Sequence, residues 1–302
     1  MRGSVREGFE LHLRAERTLG SVGQAERDDR WWGTWIDVEL ERAHHHYFED
    51  ELDDLAIVIA ELRPVVDERG TPARRLQLLH VLAQNSYRHE QYVLSEETEA
   101  LVREIYRLSG EIGDTSAEFT LGFCLLWRGK LEEAETHLRQ GLEDARRRGD
   151  ALIEVRCLVY GALVRRLCSD VEGARALLAE LVALDDLLGY VGLASAGNAW
   201  VALRDGDHDA ASRFAEAALA DWDPRSRSGS STFQWTARFP LLAIELARGE
   251  DEAALGHARV MLDVHQHPLP ADLATPLAAA VERGDASLLA PALEVAGQRG
   301  YA

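Results

Sequence analysis

The chain has 302 residues, of which 46% are hydrophobic and 28% are charged, and its formal net charge is -19. This acidic balance argues against a nucleic-acid backbone or an anionic membrane surface as partner, because both attract clustered Lys and Arg. The three cysteines form no C-x-x-C pair, so neither a disulfide framework nor a zinc site is indicated, and a reducing cytoplasm is expected.

The first predicted element is an amphipathic helix within residues 1–29, with Val5, Phe9 and Leu13 on one face. This helix lacks a sequence neighbour to pair with, so it is interpreted as half of an incomplete hairpin. Its apolar face then needs cover from an upstream domain or from a second copy of the chain. Self-association through the ends of the fold is therefore one alternative for how the chain interacts.

Residues 30–302 predict a series of helical hairpins. Apolar residues recur at helical spacing, and glycines such as Gly129, Gly206 and Gly284 mark the hairpin tips, where glycine ends a helix in the left-handed conformation. The predicted helix pairs are 30–48 with 52–68, 73–88 with 94–112, 116–128 with 131–148, 151–167 with 171–188, 191–204 with 208–221, 233–247 with 252–265, and 271–282 with 286–298.

Small residues on the second helix of each pair test whether these hairpins repeat. Ala134, Ala174, Ala211 and Ala254 are separated by 40, 37 and 43 residues. The repeat is therefore about 40 residues, longer than the ~34 of a simple tetratricopeptide repeat. A sustained period of this size is typical of a solenoid. The predicted fold is an all-α, right-handed superhelix of about seven tetratricopeptide-like hairpins.

The helical segments resemble the C-terminal tetratricopeptide-like region of large bacterial signal-transduction ATPases, among them cyclase-linked and LuxR-type regulators. The resemblance covers residues 30–302 and is carried by WWGTWIDVELERA, ELRPVVDERGTPARRLQLLHVLA, YVLSEETEALVREI and LGFCLLWRGKLEEAETHLRQGLEDARRRGD. It implies a sensor or regulatory scaffold in signal transduction or transcription regulation. It carries over no catalytic residue, and the sequence has no G-x-x-x-x-G-K-[ST] phosphate loop. The chain is either a fragment of such a regulator or a stand-alone relative.

The first helix of each pair lines the inner wall of such a repeat fold, and its projected face is aromatic and basic. One interpretation is that half of these residues pack between repeats; the other is a groove where aromatic rings anchor a ligand and Arg clamps a carboxylate or phosphate. Arg166 is expected to be an exposed clamp whose removal weakens binding and barely changes stability. The candidate residues are His80, Gln84, Tyr87, Arg88, Phe119, Phe123, Trp127, Arg156, Tyr160, Arg166, Trp200 and Arg204.

Metal and catalytic motifs are not indicated. The triplet His44, His45 and His46 falls in a predicted helix, where consecutive side chains point about 100° apart and cannot converge on one ion. No H-E-x-x-H or G-x-S-x-G motif occurs, and the paired carboxylates fit solvated helix faces. Neither a metal nor a cofactor is therefore expected.

The sequence predicts a non-catalytic, cytoplasmic scaffold that binds a protein segment, a peptide or a small acidic effector. No signal peptide is indicated, and no apolar run reaches the ~18 residues of a membrane span. The alternative is an enzyme or enzyme accessory, with a small-molecule pocket enclosed by the solenoid around Trp127, Tyr160 and Arg166. A deep pocket with convergent acid and base groups would favour that alternative.

Overall fold

The computed structural model describes residues 11–15, 17–23, 26–114, 116–184, 186–187, 189–223 and 231–302. Helices and turns make up this described part, and it contains no β-strand, so the predicted all-α class is confirmed. Residues 11–15 and 17–20 are helical, as the sequence predicts. Val5 and Phe9 of the predicted N-terminal helix lie outside the described residues.

The long helices follow the predicted pairs. In chain order they are α1 (Asp29–Glu49), α2 (Leu52–Arg69), α3 (Pro72–His89), α4 (Glu96–Ile112), α5 (Ala117–Trp127), α6 (Leu131–Arg148), α7 (Ala151–Leu167), α8 (Val171–Val182), α9 (Val191–Arg204), α10 (His208–Asp221), α11 (Trp235–Arg248), α12 (Asp251–Met261), α13 (Ala271–Arg283) and α14 (Ala290–Gln298), with a 3-10 turn at Ala286–Leu289.

Local chemistry fixes many of these boundaries. The Thr71 and Ser95 hydroxyls accept hydrogen bonds from backbone N–H groups in the first turns of α3 and α4, which removes unpaired donors there. Gly149 ends α6 with φ 72°, a left-handed conformation that costs glycine little. Helix α2 continues through Pro64, although proline inside a helix removes one backbone hydrogen bond.

The chain divides into two compact units, Met1–Cys124 and Leu125–Ala302, and the boundary falls inside α5. In the first unit α1, α2, α3 and α4 pack in sequential pairs, and α1 also contacts α3. Its core contains the fully buried side chains of Ile36, Leu55 and Leu62. The predicted division between residues 29 and 30 stays a prediction.

The second unit repeats the hairpin arrangement. Each helix from α6 to α14 packs against its sequence neighbour, and α9 also contacts both α7 and α11. The first helices α7, α9 and α11 therefore form a continuous row. Ala134, Ala174, Ala211 and Ala254 are each 0–1% exposed, so small side chains allow the helices to approach closely. This packing is consistent with an all-α solenoid.

Candidate functional site

The twelve residues predicted to line an inner wall differ widely in burial. Six of them belong to the first unit and six to the second, and each set is described within its own unit. The buried ones are Tyr87, Phe119, Phe123, Tyr160, Arg166 and Trp200. The half-buried ones are His80, Gln84, Arg88, Trp127, Arg156, and the exposed one is Arg204.

In the first unit the predicted aromatic residues form a packed cluster. The ring of Tyr87 lies 5.4 Å from that of Phe123 and 6.3 Å from that of Tyr92, and the Phe119 and Phe123 rings are 5.7 Å apart. Burial raises the pKa of the Tyr87 hydroxyl well above its usual value. At this cluster the interpretation as packing between helices therefore describes the geometry better than an open groove does.

Two polar candidates of the first unit, Arg88 and His80, have partners within the protein, whereas the half-buried Gln84 has a side-chain oxygen without a hydrogen-bond partner among the described residues. Arg88 holds its guanidinium 5.0 Å from the centre of the Tyr47 ring. His80 Nε2 lies 3.5 Å from Asp114 Oδ2, and the Ser116 hydroxyl donates to the same carboxylate at 2.9 Å. The His80 and Ser116 contacts hold the pKa of the Asp114 carboxyl below its usual range, against the effect of burial. This pair fixes the turn between α4 and α5.

In the second unit, the prediction that Arg166 is an exposed clamp is wrong. The side chain is only 2% exposed, and all three guanidinium nitrogens donate to backbone carbonyls. Nε bonds the Gly300 carbonyl at 2.8 Å, Nη1 bonds the Thr236 carbonyl at 2.7 Å, and Nη2 bonds the Tyr301 carbonyl. The placement of Arg166 on an inner wall stays a prediction, and in the structure residues far along the sequence cover this side chain.

Without Arg166, the Thr236 carbonyl oxygen would lack the hydrogen bond that a carbonyl inside a helix normally accepts. Pro240 lies inside α11, four residues after Thr236. Proline has no N–H, so the usual helical hydrogen bond to the carbonyl four residues earlier cannot form. Arg166 supplies the missing donor from α7. A buried carbonyl that would otherwise lack its helical partner is thereby satisfied.

Aromatic rings surround the Arg166 guanidinium. Its central carbon lies 5.7 Å from the Trp200 ring centre and 5.2 Å from the Trp235 ring centre, within the range of cation–π attraction. The Tyr301 ring lies 4.5 Å from Trp235 and 5.7 Å from Phe239. We call the set of Arg166, Trp200, Arg204, Thr236 and Trp235 the Arg166 site.

The Arg166 site binds residues 297–302 of the same chain, here called the 297–302 segment. The Trp200 indole Nε1 donates to the Ala302 carbonyl at 3.1 Å, and Arg204 Nη1 donates to the Gly297 carbonyl at 3.2 Å. Together with the Arg166 bonds, side chains from α7 and α9 bind this segment through its backbone. The predicted wall residues Arg166, Trp200 and Arg204 are thus brought together around the C-terminal end of α14 and the turn that follows it.

The charge of Arg166 has no counter-ion. Among the described residues no carboxylate forms an ion pair with it, and each of its hydrogen bonds goes to a neutral carbonyl. Burial lowers the pKa of this guanidinium to about 9, so it stays protonated at neutral pH. Carbonyl dipoles and aromatic faces are therefore what stabilises this buried cation.

The remaining candidates of the second unit are used in packing. Trp127 stacks on Phe233 with ring centres 4.6 Å apart and an interplanar angle of 9°. Arg156 Nε donates to the Tyr190 hydroxyl at 2.9 Å. A cavity of about 20 Å³ lies beside Arg166, and its lining residues are Val159, Tyr160, Ala162, Leu163, Arg166, Ala174, Leu178, Leu193, Gly197, Trp200 and Thr236. This space holds about one water molecule.

The three histidines of α1 do not converge on one point. His46 Nδ1 lies 2.7 Å from Glu51 Oε2, and His46, Glu51 and Asp54 offer ligand atoms within 4.8 Å of one another. Glu51 and Asp54 are exposed. His44 and His45 instead line a groove of about 530 Å³ in the first unit. The absence of a metal site stays a prediction. His46 is the residue to substitute in a test of it, because it belongs to the group of possible metal ligands.

Sequence reasoning missed the partners of the Arg166 site: Thr236, Trp235 and the 297–302 segment. One signal was available, because Pro240 inside a predicted helix leaves the carbonyl of Thr236 in need of a donor. No protein-family model matches the chain, and no curated protein is significantly similar to it. Within the described ranges, no helix combines the length and the apolar character needed to cross a bilayer.

Proposed function

We propose that this chain is a non-catalytic scaffold of tetratricopeptide-like hairpins that binds a segment of another protein or a peptide. The observation that carries the proposal is the Arg166 site. There α7 and α9 present side chains that bind the 297–302 segment, the last turn of α14 and the residues after it, by its backbone carbonyls. Backbone recognition of this kind does not depend on the chain to which the segment belongs, so the same surface suits a segment supplied by a partner.

The wider proposal follows the resemblance of residues 30–302 to signal-transduction ATPases. The hairpins would form a right-handed superhelix of about seven repeats, and the scaffold would act as the cytoplasmic sensor part of a regulator. Binding of a segment would bias an attached NTPase, either in one chain or in a complex. Small-angle scattering tests the superhelix, because a spherical particle would contradict it.

The alternative function is an enzyme with a pocket inside the solenoid. The cavity beside Tyr160 and Arg166 has a volume of about 20 Å³, and Trp127 does not line it. Small-molecule sites are usually ~300–1,000 Å³, so this cavity supports the scaffold rather than the enzyme. A substrate turned over by the purified chain, and lost in a Tyr160→Phe variant, would favour the enzyme.

A peptide-display selection tests the scaffold. A random dodecapeptide library is selected on the immobilised chain, and binding of the enriched peptides is measured by calorimetry. Arg204 is the test position because it is exposed and already bonds a backbone carbonyl at 3.2 Å. Arg204→Ala should weaken binding about fivefold, the equivalent of one hydrogen bond of ~1 kcal/mol.

The matched control is Arg139→Ala. Arg139 is an exposed helical Arg whose ion-pair partner is Glu143 at 3.5 Å, and it makes no hydrogen bond to the 297–302 segment. This variant should bind the selected peptides like the wild type. No enrichment over a blank support, or equal weakening in both variants, would contradict the proposal.

A further inference from the structure

An open groove lies in the first unit, between the helical residues 11–15 and one face of α1. Its volume is about 530 Å³, which falls within the ~300–1,000 Å³ that is usual for small-molecule sites. The lining residues of α1 recur every three or four positions from Thr34 to Phe48. One stripe of the helix, about 21 Å long at ~1.5 Å per residue, therefore forms one wall of the groove.

The apolar part of this groove is exposed. Leu11 is 61% exposed and Phe48 is 60% exposed, although both side chains are large and apolar. The opposite face of α1 differs, because residues such as Ile36 and Leu40 are buried against α2 and α3. A ligand with an apolar body would cover Leu11 and Phe48 and remove their surface from water, which favours binding.

The formal charges in the groove belong to carboxylates. Asp37 and Glu41 line it, and no Lys or Arg is among its described lining residues. Arg74 already pairs with Asp37, donating from Nε at 2.7 Å and from Nη2 at 2.8 Å. Glu41 is exposed and forms no hydrogen bond or ion pair with a described residue. Its negative charge is therefore available to a cationic ligand.

Histidine rings lie beside these carboxylates. Burial lowers the pKa of the His44 imidazole, an effect that the nearby Glu41 carboxylate opposes and the His80 ring of α3 reinforces. His44 is therefore neutral at pH 7.5 and does not repel a cation. His12 and His45 also line the groove and add ring surface to its walls.

We propose that this groove binds a small hydrophobic amine, a molecule with an apolar or aromatic body and a protonated amino group. The ammonium group pairs with the Glu41 carboxylate, and the body covers Leu11 and Phe48. The net charge of the chain, -19, raises the local concentration of such a cation. An anionic ligand would instead meet two carboxylates. The inference goes beyond the proposed function, because the groove lies in the first unit and the Arg166 site in the second.

The alternative occupant is a basic amphipathic helix of a partner protein. A helix about 10 Å wide that ran along the whole 21 Å stripe would occupy roughly 1,600 Å³. This is about three times the volume of the groove, so most of the helix would lie outside it. The dimensions therefore favour the small amine.

The probes are dansylcadaverine, a fluorescent aromatic sulfonamide with a primary amine on a five-carbon chain, and its N-acetylated form, which has the same body without the charge. Each is titrated with the full chain at pH 7.5, and binding is followed by the rise in dansyl emission. The wild type should bind the amine about fivefold more tightly than the acetylated form, as expected for one ion pair at a partly exposed site.

Glu41→Gln should abolish this preference by weakening the binding of the amine alone. The matched control is Glu49→Gln, because Glu49 is another exposed glutamate of α1 that does not line the groove. Phe48→Ala should weaken the binding of both probes at least about fivefold through loss of apolar contact. Its control is Ile57→Ala, since Ile57 is 55% exposed and also lies outside the groove lining. All four side chains are exposed, and circular dichroism checks that each variant is folded.

Several results would overturn the inference. It is wrong if the wild type binds neither probe, if it binds both equally, or if Glu41→Gln has no larger effect than Glu49→Gln. A third probe, an amphipathic peptide of Leu and Lys, tests the alternative occupant. If this peptide binds in a Glu41-dependent manner and dansylcadaverine does not, the groove takes a protein segment rather than a small amine. The proposed function is judged separately, by Arg204→Ala in the second unit.

Discussion

Arg166→Met tests whether the buried guanidinium stabilises the second unit. Methionine retains an unbranched apolar side chain but removes hydrogen bonds to the carbonyls of Thr236, Gly300 and Tyr301. At about 1 kcal/mol net for each bond, the free energy of unfolding should fall by about 3 kcal/mol. Loss of the buried charge raises the free energy of unfolding, because the neutral Met side chain avoids the cost of removing a cation from water. The same desolvation lowers the pKa of Arg166 to about 9.

The three carbonyls are not equivalent, and this allows a sharper test. Those of residues 300 and 301 can be hydrated if the segment moves away, whereas Thr236 lies in α11 and is only 2% exposed. Pro240→Ala provides an N–H that can bond the Thr236 carbonyl within the helix. In the Pro240→Ala background, the cost of Arg166→Met should therefore be smaller by about 1–3 kcal/mol, the cost of a buried acceptor left without a donor.

The assay is urea unfolding of the wild type, Arg166→Met, Pro240→Ala and the double variant, which together form a double-mutant cycle. Unfolding is followed by far-UV circular dichroism and tryptophan fluorescence. A second cycle with Pro276→Ala is the control, since Pro276 also lies inside a helix of the second unit, α13, and Arg166 does not contact the carbonyl four residues before it. In the control cycle, the effects of Arg166→Met and Pro276→Ala on the free energy of unfolding should be additive. If the Pro240 cycle is equally additive, or if Arg166→Met stabilises the protein, then Arg166 does not act as the substitute donor inferred here.

Two further predictions concern the first unit. The contacts of Asp114 with His80 and Ser116 lower the pKa of its carboxyl, so this carboxylate stabilises the fold fully above its unfolded pKa of ~3.9, and the contribution is lost as the pH falls from that value through the lower pKa of the folded state. Asp114→Asn should therefore cost about 1–2 kcal/mol at pH 6 and clearly less near pH 2, measured by urea unfolding at both pH values; an equal cost at both would contradict the assignment. Zinc titration of chelator-treated protein should show no stoichiometric site, and a tight site lost in His46→Ala but retained in His44→Ala would overturn that expectation.

Most of the helical architecture could be predicted from the sequence, because the signals that start and end helices lie within a few residues of each helix end. The predicted ranges 131–148, 151–167, 191–204 and 208–221 coincide with α6, α7, α9 and α10. Glycine at helix ends and aspartate at helix starts are short-range signals that need no knowledge of the rest of the chain. The alanines at about 40-residue intervals are also visible in the sequence alone, because a repeat is recognised from spacing without knowledge of the contacts.

The errors in helix length also have a physical reason. Helix α8 was predicted to reach residue 188 and ends at Val182, and α12 was predicted to reach residue 265 and ends at Met261. In both places apolar residues continue past the end of the helix, so periodicity provides no stop signal.

The environment of Arg166 could not be predicted because it depends on contacts at very long range. Gly300 and Tyr301 are 134 and 135 residues away in the sequence. Helical spacing places Arg166 on an inner face, but it does not tell whether that face meets solvent, a ligand or the protein itself. The one local clue was Pro240, which indicates a carbonyl without its helical donor but does not identify the donor.

The burial of Arg166 changes how substitutions on this surface must be interpreted. A residue that holds the chain's own backbone affects stability and ligand binding together, so loss of binding in an Arg166 variant cannot by itself identify a binding residue. Arg204 also bonds the chain's own backbone, at the Gly297 carbonyl, but it is exposed and makes one such hydrogen bond where Arg166 makes three, so its removal should change the free energy of unfolding far less. Binding that falls in Arg204→Ala without a change in unfolding would therefore locate the ligand at this surface, whereas Arg166→Met measures what the same surface contributes to the fold.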